Sequence, residues 1–191
     1  MRKLLLILSV LTFSLCSCGQ DYKEYNFKDI GLHINLPDKF VFQDTFPKPS
    51  FLDANGRQIT DKTKLQNLEA DLMKGLLVVS SPDRNNTASF NLAMKTAKTG
   101  NLEEYYDFSK DMQQLMAKQQ MNNFDTASSV LTADGIKVQK FMTCATNAIP
   151  TQYGGIYLAQ VGKYFLVIKA DYTDKKFGEE IEKAIQTAKF D

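Results

Sequence analysis

From residue 31 the chain alternates, with Leu32, Ile34 and Leu36 on one side, Gly31, His33 and Asn35 on the other, and Pro37 closing the run. A period of two predicts a half-buried strand, because successive side chains leave opposite faces of an extended backbone. Phe40 and Phe42 continue the alternation, and residues 44–60, with Pro47, Pro49 and the turn Asp53-Ala54-Asn55-Gly56, predict a loop. The period then lengthens: Asp61 can cap a helix with Leu65, Leu68 and Leu72 at helical spacing, stopping at Gly75. Residues 76–80 and 87–96 read as a hairpin across Pro82-Asp83-Arg84-Asn85-Asn86, with Ala88, Phe90, Leu92 and Met94 on one face. Asn101 followed by Glu104 has the form of a capping box and predicts a second helix, its apolar side made by Leu102, Tyr105, Phe108, Met112, Leu115 and Met116.

The last third is richest in strands: residues 128–132, a turn at Ala133-Asp134-Gly135, residues 136–146, a break at 147–150, residues 152–161, a Gly162-Lys163 turn and residues 164–172. A final helix follows Thr173-Asp174, with Phe177, Ile181, Ala184, Ile185 and Ala188 on its apolar face. The order strand, strand, helix, hairpin, helix, meander, helix predicts an α+β fold, an antiparallel sheet of about six to seven strands flanked by helices. No internal repeat or low-complexity segment interrupts it.

The first residues follow another rule. Arg2 and Lys3 precede an apolar run from Leu4 to Phe13, too short to span a bilayer and of the length of a signal-peptide core. Leu15-Cys16-Ser17-Cys18-Gly19 then resembles the lipobox read by the type II signal peptidase, with a large aliphatic residue at −3, a small one at −1 and a cysteine at +1. Cys16 does not fit, because Leu15 would occupy −1. That resemblance implies residues 1–17 as signal peptide, diacylglycerol on the Cys18 sulfur, a tether over 18–24 and a single domain over 25–191. Acyl chains worth about 0.8 kcal/mol per buried methylene would make the attachment effectively permanent. Gly19 at +2, where an inner-membrane retention signal has Asp, leans the reading towards the outer membrane. The alternative is an ordinary secretory signal cut after Ser17 or Gly19, or an uncleaved anchor.

Removing residues 1–17 takes two bases and no acid from a chain of formal charge +1, leaving about −1. So balanced a surface gives no electrostatic case for nucleic acid. With Cys16 removed and Cys18 acylated, Cys144 is the one thiol left, so no internal disulfide forms and the core must hold the fold.

Gly31-Leu32-His33-Ile34-Asn35-Leu36-Pro37-Asp38-Lys39-Phe40 resembles the Gly-aromatic-x-Ile-x-Leu-Pro-x-x-Trp opening of PsbP-like and Mog-type domains, with Leu32 and Phe40 in place of the usual aromatics. Val161-Gly162-Lys163-Tyr164-Phe165-Leu166-Val167-Ile168 and the helix after it are similar to the last hairpin and helix of that superfamily. The resemblance covers most of residues 25–191 and implies an α/β/α sandwich of the PsbP, Mog and DcrB type. It also implies a binding role, since known members mostly bind proteins and include envelope lipoproteins. What matches is scaffold, so no functional residue transfers with it.

No catalytic constellation is legible, and the reading expects no catalytic, cofactor or metal residues. His33 is the only histidine, its same-face neighbours Gly31 and Asn35 being neither nucleophile nor carboxylate, and it reads as a solvent-side strand residue. Cys144 reads as a small core filler. Glu103-Glu104 and Glu179-Glu180 are assigned to the first turns of helices, where negative charge offsets the dipole. Asp53-Ala54-Asn55-Gly56 lacks the calcium-loop spacing and is a turn. Asp125-Thr126-Ala127 resembles the tripeptide at which Bacteroidetes O-glycosylate exported proteins, which makes Thr126 a candidate site. Phe42, Phe46 and Phe51 crowd a Pro-broken stretch that either covers the sheet edge, the favoured reading, or offers an interaction surface.

The function expected from all this is a lipid-anchored envelope protein, held to a membrane through Cys18 and acting as a non-catalytic domain that binds another envelope protein. The rivals are a small-molecule or lipid carrier, an immunity-type protein, and, less favoured, an enzyme.

Overall fold

Ten strands and two helices form among the described residues of the structure, a computed structural model describing residues 21–43, 74–95, 100–120 and 123–191. In order they are β1 (Tyr22–Phe27), β2 (Leu32–Pro37), β3 (Val41–Gln43), β4 (Lys74–Ser80), β5 (Thr87–Met94), α1 (Leu102–Gln120), β6 (Asp125–Ala133), β7 (Ile136–Ala145), β8 (Gln152–Val161), β9 (Tyr164–Tyr172), α2 (Lys175–Thr187) and β10 (Lys189–Phe190). A seven-stranded sheet runs β3-β4-β5-β9-β8-β7-β6 and a small one β1-β2-β10, with every described pairing antiparallel.

The period-two residues fix which layer each face meets. Leu77, Val79, Phe90, Leu92, Val138, Tyr157, Leu166 and Ile168 turn to one side of the large sheet, where they share a core with Leu32, Ile34 and Leu36 of β2 and with Phe177, Ile181 and Ile185 of α2. Ala93, Phe141, Leu158, Phe165 and Val167 turn to the other side and meet Tyr106 of α1. The α+β sandwich expected from the element order is therefore present. α2 is held by its apolar face, where burying each large side chain contributes about 1.5–3 kcal/mol. Its first turn is fixed by the Asp174 carboxylate, which accepts the Lys176 N–H at 2.9 Å.

Some boundaries differ from the expectation. β1 starts at Tyr22, paired with Pro37, so residues 22–24 of the span read as tether lie in a ladder. The alternation there is faint, since only Tyr25 and Phe27 turn inward from a run that also carries Lys23, Glu24 and Asn26. Gly75, read as the stop of a helix, is the second residue of β4 and sits at a register shift. Glu179 and Glu180 fall in the second turn of α2, where they pair with Lys175 (4.0 Å) and Lys39 (2.8 Å) instead of the helix dipole. The signal segment, Cys18, the 44–60 loop with Phe46, Phe51 and the Asp53–Gly56 turn, and Leu65, Leu68 and Leu72 all lie outside the described residues.

Candidate functional site

The capping box of α1 forms as its sequence predicts. Asn101 Oδ1 accepts the N–H groups of Glu103 and Glu104 at 2.9 and 3.0 Å, and Glu104 Oε2 accepts the Asn101 N–H at 3.2 Å. Only part of the expected apolar side of this helix meets the sheet, Leu102 and Tyr105 packing against the Phe141, Leu158 and Phe165 cluster. Tyr106 and Ala117 are buried, and the Tyr106 hydroxyl donates to the Lys140 carbonyl at 3.1 Å. Phe108, Met112, Leu115 and Met116 remain 61, 41, 50 and 47 % exposed. On the sheet opposite, a Cβ on Gly154 would stand 2.5 Å from Gln113 Nε2 and 2.7 Å from Thr143 Oγ1, so β8 is bare where the Gln113 side chain reaches it. The four exposed apolar residues lie along one flank of α1.

That flank borders a groove of about 180 Å³, lined by Tyr105, Phe108, Met112 and Met116 from the helix and by Ile156 and Val167 from the sheet. Tyr105 stacks on Phe165 at 4.9 Å, and the thioethers along the wall can repack. Lys169 is the one charged residue in the lining. A second, more polar cleft of about 230 Å³ lies at the strand ends, between Asn85, Thr87, Gln152, Tyr153 and Asp171. Burial pushes the Asp171 carboxyl above the usual range, with Lys169 opposing it.

The lone histidine sits between two carboxylates supplied by neighbouring strands, which the reading of β2 alone missed. His33 Nε2 lies 2.7 Å from Asp191 Oδ2, and Nδ1 lies 3.5 Å from Glu24 Oε1. Hydrogen bonding to Asp191 is the main cause of a raised imidazolium pKa. Such a cluster fastens the C-terminus to β2; it offers no nucleophile. Cys144 is half-buried opposite Asp125, and burial followed by that carboxylate pushes its thiol up, away from the reactive thiolate. Among the described residues no group of three or more His, Cys, Asp or Glu is placed to hold a metal ion, and no helix is long and apolar enough to cross a membrane. Thr126 is exposed near the start of β6. Phe42 is half-buried, its ring 4.6 Å from that of Tyr25 with the Lys23 ammonium 5.2 Å away, and Phe40 is buried against Phe177 at 4.9 Å.

No family model matches the chain, and no curated protein matches it in sequence. Solved structures do match in shape. The cyanobacterial PsbP of Synechocystis sp. PCC 6803 superposes with a TM-score of 0.56 at 8 % identity, over 93 % of this chain and 99 % of that one. The Ran-binding protein Mog1p of Saccharomyces cerevisiae gives 0.47 at 11 % identity, over 90 % and 96 %. At such identities the likeness is one of architecture, and the chain has the PsbP-like α+β fold.

Proposed function

We propose that this protein is a lipid-anchored domain of the cell envelope that binds another protein without catalysing a reaction, and that it does so through the flank of α1. The observation that carries the binding reading is the exposed stripe Phe108, Met112, Leu115, Met116 beside an apolar groove. Contiguous apolar surface of this kind on a soluble domain marks a contact site, and methionines suit a surface that adapts to its partner. With Lys169 as the charged member of the lining, the partner is an apolar segment carrying an acidic residue, presented by an envelope protein.

The anchoring half of the reading rests on the lipobox ending at Cys18. Gly19, Gln20 and Asp21 separate that cysteine from the first paired residue, Tyr22, so the reach from lipid to ladder is at most roughly 14 Å. A domain so tethered lies against the headgroups and meets partners that share its membrane. The carrier reading has less support, since the space enclosed between the large sheet, β2 and α2 is about 10 Å³, room for one water and not for an acyl chain.

Replacing Met112 and Met116 together by Glu tests the contact surface. Both side chains are half in water, so the melting transition should move little. A photo-crosslinker at Leu115 in intact cells should give a discrete adduct that the double variant loses. The same adducts with both proteins, or none with either, would count against the assignment.

A further inference from the structure

Among the described residues, β6 is an edge strand without the usual protection. It pairs with β7 on one side and with no described strand on the other. Its nine residues run in unbroken register from Asp125↔Cys144 to Ala133↔Ile136, and positions 126–133 contain no charge and no proline. Residues 125–130 are all exposed, Val130 by 54 %. Natural sheets blunt such edges with lysines, prolines, bulges or brevity.

The hairpin turn tells which backbone groups look outward. Asp134 and Gly135 have φ of 49° and 80°, a two-residue turn of the primed type, so Ala133 and Ile136 exchange both their hydrogen bonds. Alternation then points Leu131, Ser129, Ala127 and Asp125 at β7, and leaves the N–H and C=O groups of Thr132, Val130, Ser128 and Thr126 directed away from it. Four outward residues evenly spaced about Ser129 form a self-complementary set.

We propose that β6 is a self-association edge, on which two copies of this chain pair antiparallel about a twofold axis through Ser129. Thr126 then faces Thr132 of the second copy and Ser128 faces Val130, so every outward N–H and C=O is satisfied. Ala127 meets Leu131, Ser129 meets its own counterpart, and Asp125, the strand's one charge, meets Ala133, so no like charges are opposed. Isologous pairing of this kind extends both seven-stranded sheets into one. The inference does not rest on lipid at Cys18.

The dyad makes the test specific. In the purified protein, processed as its host processes it and carrying Cys144→Ser, Ser129→Cys brings a thiol against its own copy and should form an intermolecular disulfide under mild oxidation. Thr132→Cys stands roughly 20 Å from its own copy in that register and should not. Sedimentation of the wild type should show a concentration-dependent dimer, which Ser129→Lys weakens about tenfold or more by setting like charges face to face. A monomer at every concentration would overturn the proposal, as would disulfide formation no faster for Ser129→Cys than for Thr132→Cys.

Discussion

Asn86 and Thr173, 87 residues apart, are joined by a hydrogen bond of 2.8 Å from the Thr173 N–H to the Asn86 side-chain oxygen, which also accepts the Asp174 N–H at 2.9 Å. The Asn86 amide in turn donates to Ser81 Oγ at 2.9 Å, so a 3 % exposed polar side chain is satisfied at both ends. In sequence this residue reads as part of a turn cluster, and in the fold it ties the β4–β5 turn to the entrance of α2. Asn86→Ala strands two backbone donors and should cost about 2–3 kcal/mol, read as a lowered midpoint of denaturant unfolding. Asn86→Asp keeps the acceptor and should lose less. A change within 0.5 kcal/mol, roughly the spread of neutral surface substitutions, would show that water replaces the clamp.

The C-terminal strand is held by charge. Phe190 N–H donates to Asp134 Oδ2 at 2.9 Å, an interaction that lowers the Asp134 carboxyl and stays intact at neutral pH. His33 adds a titratable hold on Asp191. Because its folded pKa is raised above the ordinary 6.5, this contribution is complete below 6.5 and is lost as pH rises through the raised folded value. Amide exchange at Asp191, whose N–H donates to the Gly31 carbonyl at 3.0 Å, should therefore lose protection from near-neutral pH upward once intrinsic rates are allowed for. His33→Gln should flatten that dependence; protection rising with pH in the wild type would contradict the assignment.

Gly178 sets how closely α2 lies on β9. A Cβ there would stand 2.2 Å from Cζ of Tyr172, a ring fixed between Tyr153, stacked at 5.2 Å, and Phe177. Alanine would gain about 1 kcal/mol of helix propensity, but overpacking typically costs about 1–3 kcal/mol, so Gly178→Ala should lower the melting temperature. In a Tyr172→Leu background the same change should cost less, and equal costs in both backgrounds would place the strain elsewhere.

Much of this architecture is legible in the sequence, because period-two runs such as Leu32-Ile34-Leu36 and the Phe177-Ile181-Ile185 face bury what they announce. The failures share a cause: local pattern does not state what tertiary contact will choose. β1 presents two inward aromatics among polar neighbours, and β10 is two residues long, so neither carries a period. In α1 the apolar side holds only in part, since Leu102 and Tyr105 pack on the sheet while the Phe108 stripe stays exposed. His33 looks solitary on β2 because its carboxylates arrive from Glu24 and Asp191.

Thr126 is exposed on the free edge, where a transferase could reach it. If the Asp125-Thr126-Ala127 tripeptide is used, the native protein carries a mass increment that Thr126→Val removes, and the glycan would hinder β6 pairing. An unmodified intact mass would end that assignment.

The central claim, attachment by lipid on Cys18, is tested most directly by feeding labelled palmitate to the producing cells and recovering the protein. The account predicts label in the membrane-bound wild type, and neither label nor cleavage before residue 18 in Cys18→Ser. Unlabelled wild-type protein of full length, free in the cytoplasm, would contradict it.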